Sequence, residues 1–493
     1  MSVAVSGSHL PTSDSGERYF GAMVKRALFS AVLAVLALAA CGPIATTIFP
    51  TAGQSSGPTD GVWRTDGYGW VIQVSGGHAR TYETTSLSCL PEQDLPQVGP
   101  PGTDGATGFG KHNSAEETLH RTGPQSGELR LLGTAADIDL VAIPAVPPEC
   151  LKPTPNDPPT NFDVFWANFR DNYNSTVRKH VDWTALRNTY RPQVTAATTP
   201  DQLYQIFLDM VQPLGDAHIQ IDRKHGDSYE GYRSGTRYTD DPGGVHDKDA
   251  IKSIDQHLTV DLHAANLRKW GGDALTYADL PDGRGYLRIT DFEDWDTEPD
   301  NYLGRQALLD QVLDQVFSDD HVKAWRGLVI DISYNDGGDD QLGLSIAGRM
   351  TDRPYTAYTK LARTDPNDPT KYGRPRVVTV QPTPGRPHYT GPVRLITSDV
   401  TISAGETFAE ALMARTPPAS RYGMATQGVF ADNMDRKLPN GWTITVGNED
   451  YLAPDGHNYE DTGIPPTTDV PLFTAAQLTD HQDPAIDMTG DTR

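Results

Sequence analysis

The sequence predicts an α/β core preceded by a helical subdomain and, before that, a small β-rich domain. Three observations point to this. From Tyr286 onward strand-like and helix-like segments alternate, which argues for helices covering a sheet. Phe162, Phe165, Trp166, Phe169 and Tyr173 recur at helical spacing. Between Gly61 and Ile143, short alternating runs are broken by Gly and Pro, as in a β-rich unit. At 493 residues the chain is long enough for several such units.

In chain order, Met23 to Arg26 form a basic flank before the apolar stretch Ala27 to Ala40, which is too short to span a bilayer. Residues 1–40 therefore read as a signal peptide starting at Met23, with residues 1–22 upstream of the true start. Leu38-Ala39-Ala40-Cys41 resembles the lipobox of bacterial lipoproteins, which implies lipidation at Cys41 and an extracytoplasmic, membrane-anchored protein. Residues 41–58 read as the lipidated tether, rich in Pro, Ser, Thr and Gly. Residues 59–147 hold the β-rich domain, in which Trp70 to Val74 and His78 to Thr84 are the clearest strands. Cys89 and Cys150 would stand in an oxidising compartment, where a disulfide and two free thiols are both open readings.

A Pro-dense linker, Pro144 to Pro159, leads to the helical subdomain, residues 158–222. Thr199-Pro200-Asp201-Gln202 supplies an N-cap, a first-turn Pro and a capping Gln for a helix through Met210. Residues 223–285 read as a connecting region too short and polar for a PDZ module. The α/β core spans 286–475, with strands at Tyr286–Thr290, Gly327–Ser333, Val393–Thr397, Trp442–Val446 and Tyr451–Ala453 and helices at Gln341–Met350 and Ala404–Arg415. Residues 476–493 form a polar tail.

The formal charge of -24 disfavours nucleic acid and anionic lipid surfaces as partners. There is no zinc, calcium-loop, phosphate-loop or dinucleotide motif, so no metal or cofactor is expected. Nucleophilic catalysis by side chains remains the enzyme class to examine.

Three segments bear on it. Leu395 to Glu406 runs from a strand into a helix and sets Ser403 at the helix start, where free N–H groups can stabilise an oxyanion. Ser403-Ala404-Gly405-Glu406 is equally a capping box. Leu328 to Gly338 is a buried strand ending in Gly337 and Gly338, whose backbone can approach a substrate closely. Asp216-Ala217-His218 follows a helix and enters a strand-like run, where Asp216 and His218 would share a face.

Together these segments resemble the tail-specific, or C-terminal processing, serine peptidase family, from roughly Phe162 to Pro471, and follow the branch containing tricorn core protease and interphotoreceptor retinoid-binding protein. The resemblance implies a crotonase-like (ClpP-type) core and hydrolysis of peptide or protein substrates through an acyl-enzyme. The family's Ser-Ala-x-Glu pattern falls on Ser403, Ala404 and Glu406, making Ser403 the nucleophile. Its Asn-x-Gly-Gly turn falls on Asn335 to Gly338, so Gly337, Gly338 and Ala404 would supply the oxyanion hole. One branch takes its base from a Lys in a Gly-x-x-Thr-x-Gly-Lys stretch. Here Gly423 to Gly428 is followed by Val429, which points to the other branch and to His218 as base. The run ending in Ile464-Pro465 resembles the segment holding the acidic residue, which makes Glu460 the third member, with Asp461 and Asp216 in reserve. Ala217 stands where tricorn has a Ser, so a tetrad is incomplete. Readings as an esterase, or as a silent binding protein for an apolar ligand or peptide on the same fold, stay open at this stage.

Overall fold

The computed structural model describes residues 57–237 and 247–490. The signal peptide, Cys41 and nearly all of the tether lie outside them. Among the described residues no helix is long and apolar enough to cross a membrane.

The first unit is a meander of eight antiparallel strands: β1 (Gly61–Thr65), β2 (Trp70–Ser75), β3 (His78–Thr84), β4 (Cys89–Pro96), β5 (Thr107–Lys111), β6 (Ser114–Arg121), β7 (Ser126–Leu131) and β8 (Ile138–Ile143). Their order is β4-β3-β2-β1-β8-β7-β6-β5, and a bridge between Gln97 and Phe109 draws the two edge strands together. Alternation decides the inside: Ala79, Thr81 and Glu83 of β3 are buried, while the residues between them are half exposed. Cys89 and Cys150 are disulfide-bonded, tying the start of β4 to the segment that follows β8.

The helical subdomain comprises α1 (Pro158–Asn172), α2 (Trp183–Tyr190) and α3 (Pro200–Val211). The aromatic stripe is core: Phe165 stacks on Phe207 with centroids 3.8 Å apart, and Trp183 lies against Phe165 and Phe169. The capping box at Thr199 and Gln202 starts α3. After α3 the chain passes through β9 (Gln220–Asp222), β10 (Tyr229–Glu230) and α4 (Asp247–Gln256).

The central sheet holds β11 (Ala265–Trp270), β12 (Leu275–Asp279), β13 (Arg284–Ile289), β14 (Gly327–Asp331), β18 (Val393–Thr397), β20 (Ser420–Gly423) and β24 (Thr468–Asp469), in that order. It begins well ahead of Tyr286, because β11 and β12 extend it as antiparallel strands, whereas β13 onward is parallel. Helices α5 (Tyr302–Val316), α6 (Asp319–Ala324), α7 (Asp340–Ala347) and α8 (Ala404–Ala414) pack their apolar sides into a core with Leu287, Leu328, Ile330 and Leu395. The fully buried pattern of β13 and β14 is what a parallel strand covered on both faces requires.

Smaller pairings then shape the site end. Beyond β14 and β18, the two-residue strands β15 (Tyr334–Asn335) and β19 (Val400–Thr401) pair in parallel. A three-stranded sheet unites β16 (Tyr355–Ala362), β17 (Arg376–Val380) and β23 (Glu449–Leu452). The hairpin β21 (Asn433–Lys437) and β22 (Thr443–Gly447) takes up β9, which carries the end of the helical subdomain to the core. Short helices α9 (Ala475–Asp480) and α10 (Pro484–Met488) end the described chain.

Candidate active site

Ser403 precedes α8 in a backbone conformation, φ 56° and ψ -120°, that an L-residue rarely adopts. The cause is a set of anchors on both sides. Ile402 N–H donates to Asn335 O (2.9 Å), extending the β15–β19 pair, while Ser403 N–H donates to Val429 O (3.1 Å) and more loosely to Glu406 Oε2 (3.3 Å). Glu406 is not only a helix cap. It is wholly buried, and its carboxylate accepts from Gly428 N–H (2.7 Å) and Val429 N–H (2.8 Å). Burial pushes its pKa to about 7 against these donors.

The glycine turn lies directly against Ser403. A Cβ on Gly337 would come within 2.7 Å of Ser403 Cβ, and Gly337 has φ +87°. The two predicted glycine donors divide, however. Gly337 N–H is committed to Asn335 Oδ1 (3.1 Å), whereas neither Gly338 N–H nor Ala404 N–H has an acceptor among the described residues. Asn335 is itself held by donating to Ile289 O (3.0 Å), with Gly405 leaving room for it.

His218 differs from its expected setting. It sits in a turn just before β9 and not within a strand, and Asp216 makes no hydrogen bond to its ring. Asp216 Oδ1 accepts the backbone N–H of His218 (2.8 Å) and Oδ2 accepts from the Tyr173 hydroxyl (2.6 Å), so Asp216 shapes the turn. Both ring nitrogens of His218 are buried without a hydrogen-bond partner, and none joins them to Ser403 or Glu460. Burial lowers the His218 pKa, opposed by the negative charges of Asp216 and Asp432. The turn nevertheless meets the serine segment: Ala217, Ile402 and Val429, neighbours of His218 and Ser403 and the occupant of the Lys position, form one apolar cluster.

Glu460 is buried, and its Oε2 accepts Phe430 N–H (2.9 Å). Burial, Asp216 and Asp461 hold its carboxyl far above the usual range, against that N–H and the Arg178 charge. Asp461 is taken by Arg178 (2.8 Å) and Lys179.

The Ser403, Glu406 and Glu460 segments, and Ala217 beside His218, thus meet at the run Thr426 to Phe430, which the sequence marked only as lacking a Lys. Sequence reasoning also missed Asp432 and treated Tyr173 as core alone. The sole signal for Tyr173 was its place at the end of the aromatic stripe. Among the described residues no cluster of His, Cys, Asp or Glu could hold a metal ion.

A helix-initiating serine, two acceptor-free amides beside it and a buried histidine whose neighbour Ala217 packs on Ile402 belong to the chemistry of serine hydrolases. The comparisons narrow the class. Residues 283–470 match the model of peptidase family S41, and residues 154–212 match that of the tricorn protease C1 domain. Over residues 283–470 the chain is similar to peptidase family S41, and it is a serine peptidase. Its mixed α/β fold is similar to that of a candidate peptidase from Parabacteroides merdae, at 22% identity over 68% of this chain and 96% of that one, with a TM-score of 0.55. Mature CPAF aligns over 66% of this chain and 94% of its own at 13% identity and a TM-score of 0.49. The tricorn protease aligns over 85% of this chain and 44% of its own, at 13% identity and a TM-score of 0.39. No curated protein matches the sequence.

Proposed function

We propose that this serine peptidase cleaves peptide bonds through an acyl-enzyme on Ser403, with His218 as the general base. The observation that carries the reading is the convergence at Ser403: a strained helix-start serine, Gly337 in contact with it, and the unclaimed N–H groups of Gly338 and Ala404 nearby. Ser403 Oγ attacks the scissile carbonyl while His218 takes its proton, and the two amides receive the charge on the tetrahedral oxygen. His218 then returns the proton to the leaving amine, and a water repeats the sequence on the ester.

A neutral imidazole is the form a base needs, and burial favours it. Glu460 is proposed as the acid behind His218. The charge of Asp216 is felt by both Glu460 and the His218 ring, which links the two. Because no hydrogen bond joins His218 to Ser403, the ring must turn toward the serine as substrate enters, as catalytic contacts in unliganded enzymes often require. The parallel strands β13, β14, β18 and β20, crossed by α5 to α8, support a crotonase-like core.

Fluorophosphonate labelling of the wild type, Ser403→Ala and His218→Ala tests the site. Loss in both variants is expected, and labelling that survives in Ser403→Ala would refute Ser403 as nucleophile. The Leu38 to Cys41 motif supports a lipid-anchored, extracytoplasmic enzyme. Cys41→Ser should then move the protein from the membrane to the soluble fraction, and unchanged partitioning would refute the anchor.

A further inference from the structure

The turn joining β7 to β8, residues 132–137, leaves the β-rich domain and meets the start of α7, which begins two residues after Gly338. Gly133 O accepts Gln341 N–H (3.0 Å), one of the first-turn amides that a helix cannot satisfy from within. Gly133 also presses on Asp339: it has φ +97°, and a Cβ there would come within 2.7 Å of Asp339 Cγ and closer still to Oδ1. From the other side Arg305, buried in α5, donates to Asp339 Oδ2 through Nε (2.9 Å) and Nη2 (2.6 Å). Asp339 stands at the N-cap position of α7, yet its side chain makes no capping bond and is instead wedged between Gly133 and Arg305.

The turn is held at several points. Arg130 and Asp137 close its base with an ion pair (2.6 Å), Leu132 N–H donates to Glu116 O (3.0 Å), and Ala135 and Ala136 pack on the central core. The strands around it are tied to the core as well: Arg376 Nη1 donates to Glu128 Oε1 (3.0 Å), and Asn301 Nδ2 donates to Ser114 Oγ (2.9 Å). Gly338 has little of its own to fix it. Glycine adopts a broad range of backbone conformations, and Gly337 and Gly338 both have positive φ, so the direction of the Gly338 N–H depends on what grips the chain on either side. Before it, Gly337 O accepts Phe292 N–H (2.6 Å). After it, Asp339 N–H donates to Phe292 O (3.2 Å), and the Asp339 side chain is gripped by Gly133 and Arg305.

We propose that the N-terminal β-rich domain is a working part of the catalytic site, with Gly133 as a positioning residue: its turn seats Asp339 and thereby aims the Gly338 N–H at the oxyanion. The inference rests on Ser403 being the nucleophile and Gly338 an oxyanion donor. Gly133 acts through Asp339. A displaced donor stabilises the tetrahedral oxygen less and leaves ground-state binding alone, so loss of this support falls on the rate of the chemical step and not on affinity.

Saturation kinetics of inactivation by a fluorophosphonate test this on the full chain, because they separate the maximal rate from the probe concentration at half-saturation. Gly133→Ala should lower the maximal rate about 10-fold, a part of the roughly 100-fold that removal of an oxyanion donor costs, with half-saturation within about twofold of the wild type. Asp339→Ala, which removes the wedge without a clash, should lower the maximal rate by a similar factor, and it decides the matter if Gly133→Ala does not fold. In the Asp339→Ala background, adding Gly133→Ala should cost less than about threefold more, because the carboxylate it would strike is gone. Gly77→Ala is the control: it lies in the same domain at φ +76°, where a Cβ meets nothing within 4 Å. It carries the same kind of backbone strain and should react within about threefold of the wild type. Maximal rates within about threefold of the wild type for both Gly133→Ala and Asp339→Ala would overturn the inference while leaving the nucleophile in place. So would an equal loss from Gly133→Ala with and without the Asp339 carboxylate, which marks a general loss of structure. A wild type that does not react with the probe, or labelling that survives in Ser403→Ala, would instead overturn the Ser403 reading, and this inference with it.

Discussion

Replacing Gly337 by Ala should disable Ser403 without unfolding the protein, and the structure allows the two effects to be separated. The added Cβ would lie 2.7 Å from Ser403 Cβ, 3.2 Å from Ile402 O and 3.3 Å from Ser403 Oγ. Carbon atoms prefer roughly 3.5 to 4.0 Å, so about 1 Å must be found. Ile402 and Ser403 cannot easily give way, since their N–H groups are bound to Asn335 O and Val429 O. The φ of +87° adds roughly 1–2 kcal/mol of backbone strain for any residue with a Cβ. A displacement of about 1 Å at a reacting atom costs on the order of 100-fold in rate. Gly385 is the control: its φ is +69°, but a Cβ there meets nothing within 4 Å. Both variants should melt at lower temperature than the wild type. Only Gly337→Ala should lose fluorophosphonate reactivity, by about 100-fold. Reactivity of Gly337→Ala within about threefold of the wild type would refute the contact as a determinant of the serine geometry, being far short of that loss.

Four further outcomes are expected. Glu406→Gln keeps the shape but replaces one acceptor oxygen facing an N–H, so stability should fall by about 1.5–3 kcal/mol at pH 8. The Glu406 pKa is raised to about 7, so its protonated form is the one favoured by folding and this contribution fades as pH rises through 7. The gap between variant and wild type in thermal melts should therefore widen toward pH 6, and an unchanged gap would count against the assignment. Burial beside Glu92 and Glu116 raises Glu117 to about 8, so its contribution is full below the ordinary carboxylate range and is lost as pH rises through 8. Glu117→Gln should flatten the fall in melting temperature between pH 5 and 9, and an equally steep fall would exclude Glu117 as its source. Tyr173→Phe leaves Asp216 Oδ2 without its donor at a cost of about 1–3 kcal/mol, and it should slow fluorophosphonate labelling by loosening the His218 turn. Labelling at the wild-type rate would show that the turn holds without it. Replacing both Cys89 and Cys150 by Ser opens a loop of 61 residues, worth up to about 4 kcal/mol by chain entropy. An unchanged melting curve would show that the bond constrains little.

Much of the fold was legible because its signals are local. The capping box at Thr199, the apolar runs of β14 and β18 and the aromatic stripe of α1 each declare an element within a few residues of sequence. Sheet membership was less legible. Ala265 to Asp279 has no marked apolar alternation, and it joins the central sheet only because β13 offers it an edge. The site divides in the same way. Ser403, Gly338 and Ala404 could be named from a helix start and a glycine pair, but Gly337 N–H turns out to be committed to Asn335, a contact between residues two apart that depends on the turn adopted.

By itself, then, the sequence determined the elements with strong local signals, the helix-start serine, the absence of a Lys at Val429 and the likeness to a serine peptidase family. Periodicity, caps and short motifs are properties of neighbouring residues. Only the tertiary structure decided that Asp216 serves the His218 backbone and not its ring, that Glu406 grips Gly428 and Val429, and that Gly133 meets Gln341 at the start of α7. Those partners lie up to some two hundred residues apart along the chain. No local pattern encodes which donors a buried carboxylate will find once the strands have paired.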